Sequence, residues 1–453
     1  MKKIIFLVVL LNCFYVSNAQ CWRSISASVY NTIAIKNDGT LWICGSNMHG
    51  QICDATITDI NYFIQIGTDT DWKEVSAGEA HVLALKTNGT LWTWGYNGLG
   101  ALGDGTQVDK LIPAQVGNSN DWITISASYW SNLAIKSNGT LWAWGYNFYG
   151  QLGDGTTIDR YVPTQIGSNN DWKTISAGAE YCMAIKNNGT LWAWGSNSYG
   201  QFGNGSTTNS FTPIQIGIAN DWVTVLVGEY HSLGLKINGS IYSTGLNSDG
   251  RLGDGTTNNK TVFTQIGNGV DWQKIGVGKY NSIGIKTNGT LWICGNNIYG
   301  MIGDGTNIER NELTQIGSDT NWQIVTIGEY QTVGLKTDAS LLTWGDNFYG
   351  QLGNGTNLSS LTPLANTCSN LNLNELVKQG SITIYPNPVN NTLNIALEGQ
   401  EIENSTIVDV LGKVVMEHNN NLTQINVQNL ASGIYFIYII VDGKTINRKF
   451  IKE

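Results

Sequence analysis

The chain of 453 residues contains 54 glycines, 17 tryptophans and 19 tyrosines, but only 6 prolines and 13% charged residues. A hydrophobic content of 41% suffices for a folded core and excludes a disordered chain, and the abundance of glycine and aromatic residues favours short strands joined by tight turns. The formal net charge of −9 argues against nucleic acid and anionic lipid as partners.

The N-terminus has the layout of a secretory signal peptide. Lys2 and Lys3 precede a short apolar run, and Ser17-Asn18-Ala19 supplies the small residues of a cleavage site. We therefore expect residues 1–19 to be removed by cleavage between Ala19 and Gln20. The apolar run is too short to span a bilayer, and no later segment is a transmembrane candidate.

A repeat with a period of 50 residues begins after this segment. Its marker is an Asp-Trp pair, replaced by Cys21-Trp22 in the first unit and by Asn321-Trp322 in the seventh. The intact pairs are Asp71-Trp72, Asp121-Trp122, Asp171-Trp172, Asp221-Trp222 and Asp271-Trp272. No insertion or deletion interrupts the seven units, so each is expected to form the same substructure.

The third unit shows which substructure this is. Alternating apolar residues predict strands over Trp122–Ser126, Leu133–Lys136, Thr140–Trp144 and Val162–Ile166. Asn138-Gly139 between the second and third strands is a strong hairpin signal, because a type I′ turn needs positive φ at both positions. Four strands per unit, seven units and no helical period predict an all-β fold, a seven-bladed β-propeller.

The tryptophans fit the same architecture. Sixteen of the 17 fall at three repeat positions, represented in the third unit by Trp122, Trp142 and Trp144. Large flat side chains that recur in every blade are expected to fill the space between neighbouring sheets. Only Trp130 lies outside this pattern.

The repeat resembles that of a known family. Runs such as ISAGAEYCMAIKNNGTLWAWGSNSYGQFGNG at 175–205 are similar to the units of the regulator of chromosome condensation family, in which repeats of this length build a seven-bladed propeller. The resemblance covers residues 20–368 and implies the fold. It says little about activity, since one fold hosts many functions.

The repeat stops before the C-terminus. After a polar linker at 369–379, strand-like runs at Ser381–Tyr385, Thr392–Ala396, Thr406–Val410 and Ile434–Val441 predict a small β-sandwich.

The strings YPNPVNNTLNI, VDVLGKVV, LASGIYFIYI and KFIKE within 380–453 strongly resemble the type A C-terminal sorting domain of the type IX secretion system. The resemblance implies an interaction with the type IX secretion machinery. It also implies that the protein is secreted or attached to the outer surface after passage through the periplasm.

The cysteines suggest one disulfide. If the propeller closes, Cys21 takes the place of a virtual residue 371, three positions beyond Cys368, and three residues span at most ~10 Å. We expect a Cys21–Cys368 bridge where the first and last repeats meet, with Cys44 and Cys53 as a weaker candidate pair. No Cys-x-x-Cys or Cys/His cluster occurs in the sequence, so zinc is not indicated.

A glycine-rich turn could be mistaken for a cofactor site. Gly-Asp-Gly-Thr occurs at 103–106, 153–156, 253–256 and 303–306. A phosphate loop would need a following helix and a lysine, and calcium would need six or more oxygen ligands. A side-chain-to-backbone turn explains the motif better. We therefore predict neither cofactor nor metal.

No catalytic residue stands out. His81 and His231 share a repeat position at which other units hold Asn31, Ser131 or Tyr181. A position that tolerates such different residues is expected to start a strand and not to supply a catalytic base.

The candidate partner-binding residues lie where the repeat varies, in the turn after each Ala-Gly-type pair and in the turn after each Trp-x-Trp-Gly strand. Loops carry binding functions, and aromatic residues are their usual anchors. The candidates are Tyr30, Trp130, Tyr146, Phe148, Tyr230, Tyr280, Tyr330 and Phe348. Several of the tyrosines could instead pack on neighbouring loops, whereas Trp130 and Phe148 are expected to be exposed.

The sequence thus favours a non-enzymatic recognition protein that binds an extracellular protein or glycan on one loop face. One alternative is an enzyme acting on extracellular polysaccharide, with carboxylates from Glu79, Glu180, Glu229 and Glu329 converging on that face. Another is a structural adhesin.

Overall fold

The computed structural model describes residues 21–54, 56–366, 383–396, 402–409, 413–419, 423–441 and 444–453. The chain divides into two compact units between Cys368 and Ser369. The predicted signal peptide, its cleavage site at Ala19 and Gln20, and the predicted linker lie outside the described residues and stay predictions. Every regular element in the described part is a strand, so this part contains no apolar helix that could cross a membrane.

The first unit consists of seven four-stranded antiparallel sheets, and the strands of each sheet follow one another in sequence order. The first strands are β1 Trp22–Ala27, β5 Trp72–Ala77, β9 Trp122–Ala127, β13 Trp172–Ala177, β17 Trp222–Val227, β21 Trp272–Val277 and β25 Trp322–Ile327. The second strands are β2 Asn31–Lys36, β6 His81–Lys86, β10 Ser131–Lys136, β14 Tyr181–Lys186, β18 His231–Lys236, β22 Asn281–Lys286 and β26 Gln331–Lys336.

The third strands are β3 Leu41–Gly45, β7 Leu91–Gly95, β11 Leu141–Gly145, β15 Leu191–Gly195, β19 Ile241–Gly245, β23 Leu291–Gly295 and β27 Leu341–Gly345. The fourth strands are β4 Ile60–Gln65, β8 Lys110–Gln115, β12 Arg160–Gln165, β16 Ser210–Gln215, β20 Lys260–Gln265, β24 Arg310–Gln315 and β28 Ser360–Asn366. Each repeat forms one blade, as in a seven-bladed β-propeller, and the predicted fold class is confirmed.

The hairpin between the second and third strands forms at the predicted place, but its turn is not the predicted type I′, because Gly139 has positive φ and Asn138 does not. Gly139 has φ +80°, which a side chain would strain, and an added Cβ would lie 2.0 Å from the Asn170 carbonyl oxygen. The Asn138 side chain accepts hydrogen bonds from the backbone N–H and the hydroxyl of Thr140 at 3.1 and 2.7 Å. The turn thereby fixes the register in which Ile135 pairs with Leu141.

The tryptophan at the position of Trp144 joins neighbouring blades, as its recurrence predicts, whereas Trp142 in the same strand is half-buried and donates to Thr140 of its own blade at 2.9 Å. Trp144 is fully buried, and its indole N–H donates to the carbonyl of Ala101 in the preceding blade at 3.0 Å. Trp94, Trp194 and Trp344 make the same contact in their blades. Each of these side chains therefore supplies both buried area and an inter-blade hydrogen bond.

The Gly-Asp-Gly-Thr motif is a structural turn, as predicted. Asp154 Oδ1 accepts hydrogen bonds from the backbone and hydroxyl of Thr156 and from the Asn147 amide, while Oδ2 accepts from Arg160 at 2.7 Å. Burial raises the pKa of Asp154, but these hydrogen bonds outweigh burial and hold the pKa below its usual value. The carboxylate oxygens are thus already engaged by protein donors.

The same turn clamps the next blade. Gly155 N–H donates to the Phe211 carbonyl of the fourth blade at 2.9 Å. The equivalent bond from Gly355 to Asn61 at 2.8 Å joins the seventh blade to the first. No described blade contains strands from two repeats. Inter-blade packing and clamps of this kind close the ring, without exchange of a strand.

The described cysteines settle part of the disulfide prediction. Cys21 is disulfide-bonded. Cys44 and Cys53 are free, so the prediction of the weaker candidate pair is wrong. Cys44 occupies the repeat position of an inter-blade tryptophan, is buried, and directs its thiol at the Gln351 carbonyl at 3.5 Å. Cys368 lies outside the described residues, and the Cys21–Cys368 pairing stays a prediction.

The second unit is a small two-sheet sandwich with buried apolar residues between its sheets. One sheet has the order β29-β30-β33 and the other β32-β31-β34-β35. The strands are β29 Thr383–Tyr385, β30 Thr392–Ala396, β31 Asn404–Asp409, β32 Val414–Asn419, β33 Gln424–Asn426, β34 Gly433–Val441 and β35 Lys444–Lys452. The sequence pattern gave no separate prediction for β32, β33 and β35.

Candidate functional site

Both sets of variable loops lie on one end of the propeller. The first and third strands of each blade run toward this end, which we call the loop face; it carries the turns equivalent to 28–30 and the loops equivalent to 46–59. In the third blade, Tyr146 N–H donates to the Trp130 carbonyl at 3.0 Å, so the two loops touch. The opposite end, the turn face, carries the hairpins equivalent to 37–40 and the connections between blades.

The loop face surrounds the mouth of a central cavity of about 380 Å³. First-strand residues from all seven blades line its wall, and many of them are small, such as Ser26, Ala127 and Gly276. At the mouth, one residue per blade follows the first strand: Val29, Glu79, Tyr129, Ala179, Glu229, Lys279 and Glu329. We call these seven residues the mouth ring.

The mouth ring contains a lysine held between two carboxylates. Lys279 Nζ lies 3.0 Å from Glu329 Oε1 and 3.7 Å from Glu229 Oε1, and Glu329 is only 8% exposed. Burial lowers the pKa of Lys279, but Tyr129 and these two carboxylates raise it by more, so the side chain stays cationic. The ion pairs use residues from three consecutive blades and fix one sector of the mouth.

Glu79, on the second blade, forms no ion pair of this kind among the described residues, although the charges of Lys279 and His49 reach its carboxyl. Its Oε2 is buried and accepts no hydrogen bond in the described structure. Burial, followed by the charge of Glu329, raises the pKa of this carboxyl by more than the charges of Lys279 and His49 lower it. The Glu79 backbone N–H donates to the Tyr129 carbonyl at 3.2 Å, which fixes Glu79 beside the third blade.

The third blade carries a cluster of aromatic side chains next to Glu79. Trp130 packs edge-on against Tyr129 and Tyr146, with ring centroids 6.0 and 5.8 Å apart, and Tyr146 lies parallel to Phe148 at 6.4 Å. Phe148 is 64% exposed, as expected, whereas Trp130 is only partly exposed because both neighbours cover it. We call Tyr129, Trp130, Tyr146, Phe148 and Tyr149 the blade-3 aromatic cluster.

The predicted tyrosines of other blades pack against tyrosines of the preceding blade. The ring centroids are 4.8 Å apart for Tyr30 and Tyr349, 5.0 Å for Tyr230 and Tyr199, and 5.0 Å for Tyr330 and Tyr299. Tyr280 lies 6.2 Å from Tyr330, and Phe348, 73% exposed, contacts Tyr349. The expectation that several tyrosines pack on neighbouring loops is met for these pairs.

Sequence reasoning missed the partners in these pairs. Tyr149, Tyr199, Tyr299 and Tyr349 occupy one repeat position, and their recurrence made them look like part of the frame. Their replacement by His49, Leu99 and Asp249 in the other three units was the available signal of a variable surface position.

The four carboxylates of the enzyme alternative do not form one group. Glu229 and Glu329 pair with Lys279, whereas Glu180 accepts a hydrogen bond from the Tyr230 hydroxyl at 3.4 Å. Glu79 is the member that lacks a hydrogen-bond partner at its buried oxygen.

The two repeat-position histidines start strands β6 and β18, as predicted, and are fully buried. Burial lowers the pKa of His81 to about 4 and that of His231 to about 3. His81 Nε2 lies 2.7 Å from the Asn132 amide oxygen. These side chains are therefore neutral structural groups at neutral pH.

Comparisons with known proteins agree with this architecture. A family model for the RCC1-like domain matches residues 12–272, one for the RCC1 repeat matches 338–373, and one for the secretion system C-terminal sorting domain matches 383–453. They confirm both resemblances noted in the sequence. No curated protein matches the chain.

Solved propellers share the fold at low identity. Human WBSCR16 is 18% identical over 70% of this chain and 86% of its own, with a TM-score of 0.64. Prp20p from Saccharomyces cerevisiae, in a study of its binding to Gsp1p and histones, is 17% identical over 78% and 89%, with a TM-score of 0.64. Yeast RCC1 (Prp20) bound to Kap60 is 16% identical over 82% and 92%, also with 0.64.

Proposed function

Because the chain belongs to the RCC1-like domain family and ends in a type IX sorting domain, we propose that it is an extracellular recognition protein. It is secreted or attached to the outer surface, in keeping with the sorting domain. Export takes it through the periplasm to the type IX machinery, and the loop face then binds an extracellular protein or glycan.

The observation that carries this proposal is the contrast between a uniform frame and exposed aromatic residues in its variable loops. Phe148 and Phe348 are 64% and 73% exposed, on blades 3 and 7, and each lies against a tyrosine. Exposed aromatic residues beside partly buried ones are typical of binding hot spots. A solved propeller of this fold binds proteins: Prp20 has been solved bound to Kap60, and its binding properties to Gsp1p and histones have been described.

The test is loss of binding without loss of stability. The purified protein, immobilised, is used to capture proteins and glycans from its habitat, and the double variant Trp130→Ala/Phe148→Ala is expected to lose capture by more than tenfold. The matched control is Ile218→Ala, which truncates a 97% exposed apolar side chain on the turn face. Unchanged capture by the double variant, or equal loss in the control, would contradict the assigned face.

One observation favours a second function, an enzyme acting on extracellular polysaccharide. Burial raises the pKa values of Glu79 and Glu229 beside a cavity, and a raised carboxyl pKa suits a general acid. This candidate requires release of reducing ends from a polysaccharide by the wild type and loss of that release in Glu79→Gln.

A further inference from the structure

The charges of the mouth ring are not balanced within the ring. Its seven residues include three glutamates and one lysine, so three carboxylates face one ammonium. Lys279 is already committed to Glu229 and Glu329 at 3.7 and 3.0 Å. The ring thus presents excess negative charge to whatever enters the mouth.

The nearby arginine does not supply the missing cation. Arg251 is 2% exposed, and its guanidinium donates to Asp249 Oδ2 at 2.6 Å and to the Lys279 carbonyl at 3.3 Å. It also lies 5.0 Å from the Tyr280 ring centroid. Asp249 and Arg251 therefore neutralise each other, and Glu79 remains with a buried oxygen that accepts no hydrogen bond.

The surroundings of Glu79 combine this charge with aromatic surface. Tyr129 follows directly in the ring, where the Lys279 ammonium lies 5.4 Å from its ring centroid, and Trp130, Tyr146 and Phe148 extend from it toward solvent. A guanidinium or ammonium group pairs with a carboxylate and also lies favourably over aromatic rings. The hydrocarbon part of such a side chain packs against the same rings.

At Glu79 itself, the free hydrogen-bonding capacity favours a basic side chain over a sugar hydroxyl. The free capacity at Glu79 is for accepting hydrogen bonds, because a carboxylate accepts only. Arginine and lysine donate only, so they match it, whereas a sugar hydroxyl both donates and accepts. The cationic donors of the mouth, Lys279 and Arg251, are already paired, and the Tyr129 hydroxyl is the neighbouring buried group without a hydrogen-bond partner among the described residues.

From this charge complementarity we infer that the loop face docks a protein segment that inserts an arginine or lysine side chain into the mouth, against Glu79, with an adjacent apolar residue on the blade-3 aromatic cluster. The inference rests on the proposed function and names the chemical class of its ligand.

The experiment uses the mature protein to select peptides from a phage-displayed library of random dodecapeptides. We expect selected peptides to be enriched in arginine or lysine next to an apolar residue. The affinity of the best peptide, measured by fluorescence polarisation, is expected to fall about 10- to 100-fold in Glu79→Gln, which keeps the shape and removes the charge. The affinity of the wild-type protein for this peptide is expected to fall as the salt concentration rises.

The matched control is Asp319→Asn, the same chemical change at an exposed ion pair with Lys336 on the turn face. It is expected to leave peptide affinity unchanged. Since Glu79 Oε2 accepts no hydrogen bond, Glu79→Gln is expected to unfold at the wild-type temperature, and its circular dichroism checks that it folds.

The outcomes separate the two proposals. Selected peptides without basic residues whose binding is lost in Trp130→Ala/Phe148→Ala would overturn the basic ligand and leave the recognition face standing. Binding of glycans on an array, with no peptide selected from the library, would also overturn the basic ligand and leave the recognition face standing. Peptides whose binding none of these variants affects would overturn both.

Discussion

The two faces of the propeller differ in how their seven copies use the same backbone. On the turn face, the repeat lysine makes nearly the same contacts from blade to blade: Lys136 lies 3.0 Å from Asp121 and 4.6 Å from the Trp122 ring centroid, and Lys186 lies 3.0 Å from Asp171. On the loop face, the equivalent mouth positions carry glutamate, lysine, tyrosine, alanine or valine.

The difference follows from what each position must do for the backbone. A turn-face position must form a tight hairpin or anchor two tryptophans, and few residue types can do so. A mouth position follows the end of an inner strand, where any side chain that fits the cavity is compatible with the sheet. Sequence variation therefore accumulates on the loop face. The contacts on the turn face and between the blades hold the ring together.

The largest expected effect comes from a frame tryptophan. Trp144→Ala removes a fully buried side chain and its bond to the Ala101 carbonyl, and is expected to lower the free energy of unfolding by about 3–5 kcal/mol. Trp130→Ala, on the loop face, is expected to lose less than half as much because Trp130 is partly exposed. Denaturant unfolding of both variants checks this, and equal losses would remove the distinction between frame and loop.

The buried histidines give an intermediate effect that depends on pH. The pKa of His81 in the folded protein is about 4, below the ordinary value of 6.5, so the unfolded chain binds more protons at acid pH. Stability is therefore full above pH 6.5 and falls as the pH drops toward about 4, by about 3 kcal/mol for this group.

His81→Asn should remove this part of the acid sensitivity. Asn281 occupies the equivalent position in the sixth blade and donates to the Cys294 and Asn296 carbonyls at 3.1 and 2.7 Å without titrating. Denaturant unfolding at pH 7 and pH 5 measures the difference. An unchanged loss of stability between these two values would contradict the role assigned to His81.

The smallest expected effect on stability concerns Ala339, a residue other than glycine that is held at positive φ in a turn-face hairpin. Ala339 stands where five other hairpins have the glycine of Asn-Gly, and it is held at φ +61°. Ala339→Gly is expected to stabilise the protein by about 1 kcal/mol because glycine adopts this conformation without strain. Gly139→Ala is the reverse control and should destabilise by more, since its Cβ would lie 2.0 Å from the Asn170 carbonyl oxygen. Thermal unfolding measures both, and a destabilised Ala339→Gly would contradict the turn-face account.

The sequence predicted strand positions closely in the repeats and less well in the C-terminal domain. In the third blade the predicted strand Leu133–Lys136 is observed as Ser131–Lys136. The first two residues were missed because they are polar and do not extend the apolar alternation. In the sandwich, Val414–Asn419 and Lys444–Lys452 were missed as strands, since a domain without repeats offers no second copy to reinforce a weak alternation.

The sequence by itself determined the seven blades, the hairpins and the inter-blade tryptophans, because a period of 50 residues repeats the same local requirements seven times. It also located the variable loops. Only the tertiary structure decided that Lys279 pairs with Glu229 and Glu329 and that Glu79 is left beside the blade-3 aromatic cluster. The physical reason is that the packing of successive blades brings positions 50 residues apart side by side, where rotamers and burial decide which charges meet.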